Sequence, residues 1–359
     1  MPMLSEEASL RLKILRFPLI VGVVFIHNYD LTSRVHGGAV GFAHASEAFD
    51  FVRNIISQGV ARVSVPLLFL IAGYLFFMDF QPTLNSVLAK LKSRSRTLLL
   101  PFIFWNVATL AVIALAQSLP AASKYLSGRT APVSSLDGAT LLDEIFGLHG
   151  MPISYQFWFI RDLMVLVLLA PLIYVLCRRV GIPVLLALLA LWMIDVWPLS
   201  APTLDATFFF TAGAWLAVKR LDPFFTDRFG SLAMTLYVPA LLLDAAWFGS
   251  TGDDLVHKVS ILLGVASVLW LTRFAIRSDD IKNHLVRLSG ASFFVFAAHE
   301  PLLTICRKIL FKLIPPHSSY VALGFYFLIP IFVIAVLASL HPRMKVRFPR
   351  FTALSCGGR

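Results

Sequence analysis

Long apolar runs separated by short charged loops set the plan of this chain. About ten runs have the length of a helix that crosses a lipid bilayer. They lie near 14–33, 57–78, 97–117, 156–177, 181–198, 203–218, 230–249, 257–276, 288–311 and 319–340. In hydrocarbon a run of this length must satisfy its own backbone hydrogen bonds, so the pattern predicts an all-α, polytopic transmembrane helix bundle. The loops give an independent reading. Basic residues gather at Arg11, Lys13 and Arg16; at Lys90, Lys92, Arg94 and Arg96; at Arg178 and Arg179; at Lys219, Arg220 and Arg228; at Arg273, Arg277, Lys282 and Arg287; and at Arg343, Lys345, Arg347 and Arg350. The alternate loops are poorer in Lys and Arg, with one exception around Arg307, Lys308 and Lys312. Positively charged loops stay in the cytoplasm, so both termini are expected there and the number of spans is even. The transmembrane domain is expected over residues 1–345, with a short cytoplasmic tail at 346–359.

Composition agrees. Of 359 residues, 58% are hydrophobic and only 14% charged, and the mean hydropathy is +0.79. A soluble domain with so few charged residues is far from average composition. The net charge of +11 would suggest nucleic acid for a soluble protein. Here the cations are spread over orientation-setting loops, so membrane lipids rather than nucleic acid are the expected surroundings. The three cysteines, Cys177, Cys306 and Cys356, have no metal-ligand spacing and read as packing residues or a free thiol in the tail. No metal is expected. Residues 118–155 form the longest loop, expected outside, and "LLDEIFGL" at 141–148 gives it a short amphipathic piece. A loop of this length suits a lid or entry element.

Ionisable residues inside a bilayer are costly and mark function by default. The first run carries Arg16 and His27, followed by Asp30. The second carries Arg62, the fourth Arg161 and Asp162 after Trp158, and the ninth His299 and Glu300. Orientation puts His27, Arg62, Arg161, Asp162, His299 and Glu300 at middle to outer depth. Asp195 and Asp244 fall near the outer ends of their runs and are expected to face water. On one helix, Arg16 and His27 stand about 20° past three full turns apart and about 16 Å along the axis, on one face. An arginine at the cytoplasmic end can grip phosphates, and the basic loop with Arg94 and Arg96 can help. A histidine deeper along that face can accept a proton near neutral pH. Asp30, Glu300 or Asp162 can orient its ring. A long anionic co-substrate with phosphates in the cytoplasm and a reactive end further in matches this layout, and acyl-CoA has that shape. No permanently bound cofactor is expected.

These residues resemble the acyltransferase 3 family of bacterial integral membrane acyltransferases. Arg16 and His27 match the R-x10-H of its first span. "RVSVPLLFLIAGYLF" (62–76), "FWFIRDLMVLVLLAPLIY" (157–174) and "SFFVFAAHEPLL" (292–303) are similar to three further family segments, in the family's order. The segment "KSRSRTLLLP" keeps the basic character of the family's R-x-x-R motif but has Thr97 where a second arginine is expected. The resemblance covers most of residues 10–340. It implies a bacterial inner-membrane protein that moves an acyl group, usually acetyl from acetyl-CoA, to a hydroxyl of a glycan or lipid-linked sugar, with His27 as the catalytic residue. Arg16, Arg94 and Arg96 are then expected to bind the co-substrate. Glu300 and Asp30 are expected beside His27, with Arg62, Trp158, Arg161, Asp162 and His299 around the acceptor. A membrane transporter of a saccharide or small anion fits the same buried charges, and a structural partner in polysaccharide assembly is a third reading.

Overall fold

The computed structural model describes residues 4–35, 38–42, 46–124, 126 and 131–358. Its main helices, in chain order, are α1 (Glu6–His27), α2 (Glu47–Phe77), α3 (Leu84–Ser118), α4 (Gly138–Phe146), α5 (Tyr155–Leu168), α6 (Ala170–Arg179), α7 (Ile182–Ile194) and α8 (Leu204–Val218). There follow α9 (Phe225–Trp247), α10 (Asp253–Ala275), α11 (Asp279–Ser289), α12 (Ser292–Leu313), α13 (Ser319–Arg347) and α14 (Pro349–Cys356). Between α1 and α2 a small antiparallel hairpin pairs β1 (Thr32–Val35) with β2 (Gly38–Gly41), an addition to the expected all-α plan.

Every apolar run of the sequence is helical, but not every helix is a span by itself. Among the described residues five helices are long and apolar enough to cross a membrane, or up to seven when each bent pair is one span. This is a multi-pass membrane protein. The bent pairs have sequence causes. α5 and α6 meet at 65°; Pro171 in the first turn of α6 has no N–H to continue the ladder. α11 and α12 meet at 66° across Gly290. The long loop contains α4, started by the Asp137 side chain accepting from the Thr140 N–H at 2.8 Å and ended by Gly147 in the left-handed region.

The chain divides into two compact units. The first comprises residues 1–26, 54–94 and 162–292. Within it the backbones of α2 and α8 approach closely at two glycines: a Cβ on Gly73 would strike the Phe210 carbonyl, and one on Gly213 the Leu70 carbonyl. Small residues allow this approach where no hydrophobic force separates helix from lipid. Arg11, one of the basic residues flanking the first run, is buried. Its guanidinium binds both carboxylate oxygens of Asp227 at 2.7 and 2.9 Å, donates to Thr272 Oγ1 and the Leu269 carbonyl, and lies over the Phe224 ring. It thereby ties α1 to the start of α9 and the end of α10. Asp195 is exposed at the end of α7, as expected. Asp244 is not: it is 2% exposed and accepts from His257 Nδ1 at 3.0 Å. A carboxylate this deep needs a partner, and α10 supplies one.

The second unit comprises residues 27–53, 95–161 and 293–359. Here α14 is folded back rather than forming a loose tail. Thr352, Ser355 and Cys356 are buried, and Trp105 Nε1 of α3 donates to the Ser355 carbonyl at 2.9 Å.

Candidate active site

The second unit brings several ionisable side chains together around the end of α1. The last carbonyls of a helix have no donors within it. Arg307 of α12 supplies them: its Nη1 donates to the Asp30 carbonyl at 2.6 Å and to the His27 carbonyl at 3.4 Å. A cation is favoured at this end of a helix. Two further tethers fix the same turn. Asn28, fully buried, donates to the Tyr326 carbonyl of α13 at 3.0 Å. Arg53 stacks on the Tyr29 ring at 4.1 Å and donates to the Tyr29 carbonyl.

His27 is thus held half-buried, with two rings against it. Tyr155 meets it edge-on at 5.0 Å between centroids, and His299 lies at 5.2 Å, tilted by 39°. The segment carrying Tyr155 is pinned on both sides. The Ser154 N–H donates to Asn106 Oδ1 at 3.0 Å, and Gln156 Nε2 donates to the Ala297 carbonyl at 3.1 Å.

His299 is fully buried, and its Nδ1 lies 2.6 Å from the Phe296 carbonyl and 3.2 Å from that of Val295. Carbonyls only accept, so Nδ1 carries the proton and the neutral ring keeps a lone pair on Nε2. Among the described residues that Nε2 has no hydrogen-bond partner. Glu300 follows it, 8% exposed; its Oε1 accepts from the Thr304 hydroxyl at 3.0 Å and lies 3.7 Å from Arg307 Nη2. The Tyr155 hydroxyl interacts with the same carboxyl group. Glu300 Oε2 and Arg307 Nε are also buried without partners among the described residues. Each such orphan costs about 1–3 kcal/mol, and several in one place call for a functional explanation. The cluster thus offers a lone pair, a carboxylate and a cation beside a histidine, with Tyr155 at 38% exposure as its open side. That set can move a proton and steady a polar transition state.

The other expected residues take different places. Arg16 is exposed on α1, eleven residues before His27 on the same continuous helix. Asp30 lies beyond the helix end, and its carboxylate accepts from the N–H and hydroxyl of Thr32 at 2.8 and 2.7 Å; the helical register expected to bring it to the His27 ring does not continue that far. Arg94 ends the first section of α3 with its guanidinium 5.7 Å from the Phe76 ring, and Arg96 is exposed in the next turn. Arg62 donates to Gln58 Oε1 at 2.8 Å. Arg161 donates to the carbonyls of Gly147 and Gly150, pinning the long loop. Asp162 accepts from the Thr203 N–H at 2.7 Å, at the start of α8. Trp158, half-buried, opens the regular part of α5.

A sequence model of the acyltransferase domain, Acyl_transf_3, matches residues 10–340. The chain belongs to this acyltransferase family. It is an acyltransferase, as its motifs implied. It is also 27% identical over 370 residues to the succinoglycan biosynthesis protein ExoH of Rhizobium meliloti, covering 99% of this chain and 94% of that one. No solved structure matches. In this acyltransferase the sequence pointed to His27, His299 and Glu300 but not to Tyr155, Thr304 or Arg307. A signal for Arg307 was present: it belongs to the one basic segment that broke the alternation of loop charge.

Proposed function

We propose that this acyltransferase moves an acetyl or other short acyl group from acyl-CoA to a hydroxyl of a cell-surface glycan or glycolipid, with His27 as general base. The observation that supports this best is the convergence of Tyr155, His299, Glu300 and Arg307 on the end of α1. Similarity to a protein of succinoglycan biosynthesis supports a glycan acceptor.

In this reading the acceptor hydroxyl gives its proton to the His27 imidazole while its oxygen attacks the thioester carbonyl carbon. The carbon–sulfur bond then breaks, and the departing thiolate takes the proton from the imidazolium. An ester replaces a thioester and the protein is unchanged. Positioned donors beside the reacting carbonyl steady the oxyanion; Tyr155 and Arg307 have the right chemistry. His299 and Glu300 orient the ring or the acceptor. Arg16, with Arg94 and Arg96, holds the phosphates of the co-substrate. Arg62, Trp158, Arg161 and Asp162 support the acceptor side through the framework contacts described above. The reading adopts ten crossings, counting α1, α7, α8 and each bent pair as one. Both termini are cytoplasmic, residues 1–345 form the transmembrane domain, and the protein resides in a bacterial inner membrane.

The test uses purified protein in lipid nanodiscs with labelled acetyl-CoA and candidate glycans. Wild type is expected to consume thioester and label the glycan, and His27→Ala to do neither. Equal turnover in both would overturn the assignment of His27.

A further inference from the structure

The C-terminal half of α12 holds more cations than the cap on α1 requires. Arg307, Lys308 and Lys312 crowd into residues 307–312, and Glu300 is the one carboxylate in the sequence from 293 to 359. Arg307 is engaged by the carbonyls of His27 and Asp30. Lys308 and Lys312 carry the positive charge further along the helix. Lys and Arg concentrate on the cytoplasmic side of membrane proteins, so a cluster at the opposite end of a span marks function. Two other carboxylates of this unit, Asp30 and Asp50, are held by Thr32 and Arg53.

These lysines are continuous with the buried cluster. Glu300, Thr304, Lys308 and Lys312 recur at every fourth residue and form one ladder, which rises about 6 Å and turns about 40° per rung. Its first rungs are joined. The Thr304 hydroxyl donates to Glu300 Oε1 at 3.0 Å, and Arg307 Nη2 donates to the Thr304 hydroxyl at 3.3 Å. Lys308 lies within electrostatic reach of Glu300. Exposure grows along the ladder: Glu300 is buried, Thr304 and Lys308 are half-buried, and Lys312 is exposed. The ladder thus leads from the cluster beside His27 to the surface. Ile305, Ile309 and Leu313 form the adjoining stripe, exposed and apolar, as a lipid-facing side should be. A lysine at the edge of such a stripe lays its stem on the apolar side and carries its ammonium outward.

We propose that Lys308 and Lys312 recognise an anion on the acceptor, so that the natural acceptor is an acidic glycan or a sugar carried on a lipid phosphate rather than a neutral sugar. The shared chemistry is an oxyanion, carboxylate or phosphodiester, and an ammonium takes either as a point charge. The two lysines stand roughly 14 and 20 Å beyond His299 along the helix axis. They therefore meet a different part of the acceptor from the hydroxyl that His27 activates. The proposal rests on the acyl-transfer reading above, with this end of α12 outward, and adds the charge of the acceptor.

The test uses the full chain in nanodiscs with labelled acetyl-CoA and three forms of one probe, cellotetraose. These are the neutral octyl glycoside, the octyl phosphodiester at the reducing end, and the octyl glycoside with glucuronic acid as the reducing-end sugar. Wild type is expected to favour at least one anionic form over the neutral one by about tenfold in kcat/KM, mainly through KM; which form is favoured distinguishes a lipid phosphate from an acidic sugar. Lys308→Gln and Lys312→Gln are each expected to lower that preference about three- to fivefold, and the double variant about tenfold or more. Raising salt from about 0.05 to 0.5 M is expected to narrow it as well. A merely structural role would lower transfer to all three forms alike and leave the preference intact, which overturns the proposal. If wild type uses the three forms equally well, only this proposal fails. If it transfers to none of them, the glycan reading fails with it. Variants that change only the response to anionic lipid in the nanodisc would assign the lysines to a lipid headgroup and overturn the proposal.

Discussion

The two units treat buried charge differently. In the first, three deep ionisable groups are matched to partners, while the buried Tyr237 hydroxyl has none among the described residues. Arg11 has both oxygens of Asp227, Asp244 has His257, and Asp162 has the first free N–H of α8. In the second, His299, Glu300 and Arg307 crowd together and each keeps a buried polar atom without a partner among the described residues. The matched contacts favour rigidity. The unmatched atoms lie in the unit that holds His27, and the proposed reading is what puts them to use. A buried ion pair says little about function by itself. A buried group left incomplete beside others of its kind says much more.

Five substitutions break or sharpen this contrast. His27→Ala strikes the unmatched cluster at its centre and is expected to lower acyl transfer by about 100- to 10,000-fold, the usual worth of a positioned base, without loss of fold. Transfer to glycan and the melting curve, measured together, check it. Arg307→Met strands the Glu300 carboxylate and the carbonyls at the end of α1, with an expected stability loss of about 3–5 kcal/mol. Adding Glu300→Gln is expected to restore most of the melting temperature and none of the transfer, which separates packing from catalysis. Asp244→Asn, in the matched unit, weakens the His257 contact at an expected cost of about 1–3 kcal/mol, seen as a lower denaturation midpoint with normal kcat. Lost kcat there would mean that the matched unit takes part in chemistry. The smallest effect is expected at Asp30. Its carboxylate caps Thr32, so Asp30→Asn should lower kcat/KM by no more than about a few-fold, the scale of one weakened turn contact.

Much of this arrangement was legible in the sequence, and the gaps have physical causes. Apolar runs of fixed length and alternating basic loops disclosed helices and a membrane. Run length is blind to bends, so the 65° turn at Pro171 and the 66° turn at Gly290 left fewer unbroken spans than runs. His27 and His299 stood out because an imidazole in an apolar run is conspicuous. Tyr155 did not, since an aromatic beside a membrane edge is ordinary. Asp30 was placed by extending a helix that ends at His27, and helix ends are poorly marked where no glycine or proline stops them. Asp244 was expected in water because depth along a run was estimated without the neighbouring helix that carries His257. Arg11 was hidden for the same reason: its partner is 216 residues away.

The guanidinium of Arg307 has a consequence for how the enzyme comes into being. It caps a turn that leaves the ribosome 280 residues earlier. Early in synthesis Arg53, close by in the chain, can hold that turn. The cap from the twelfth helix and the Asn28 tether to the thirteenth are added only when the polypeptide is nearly whole.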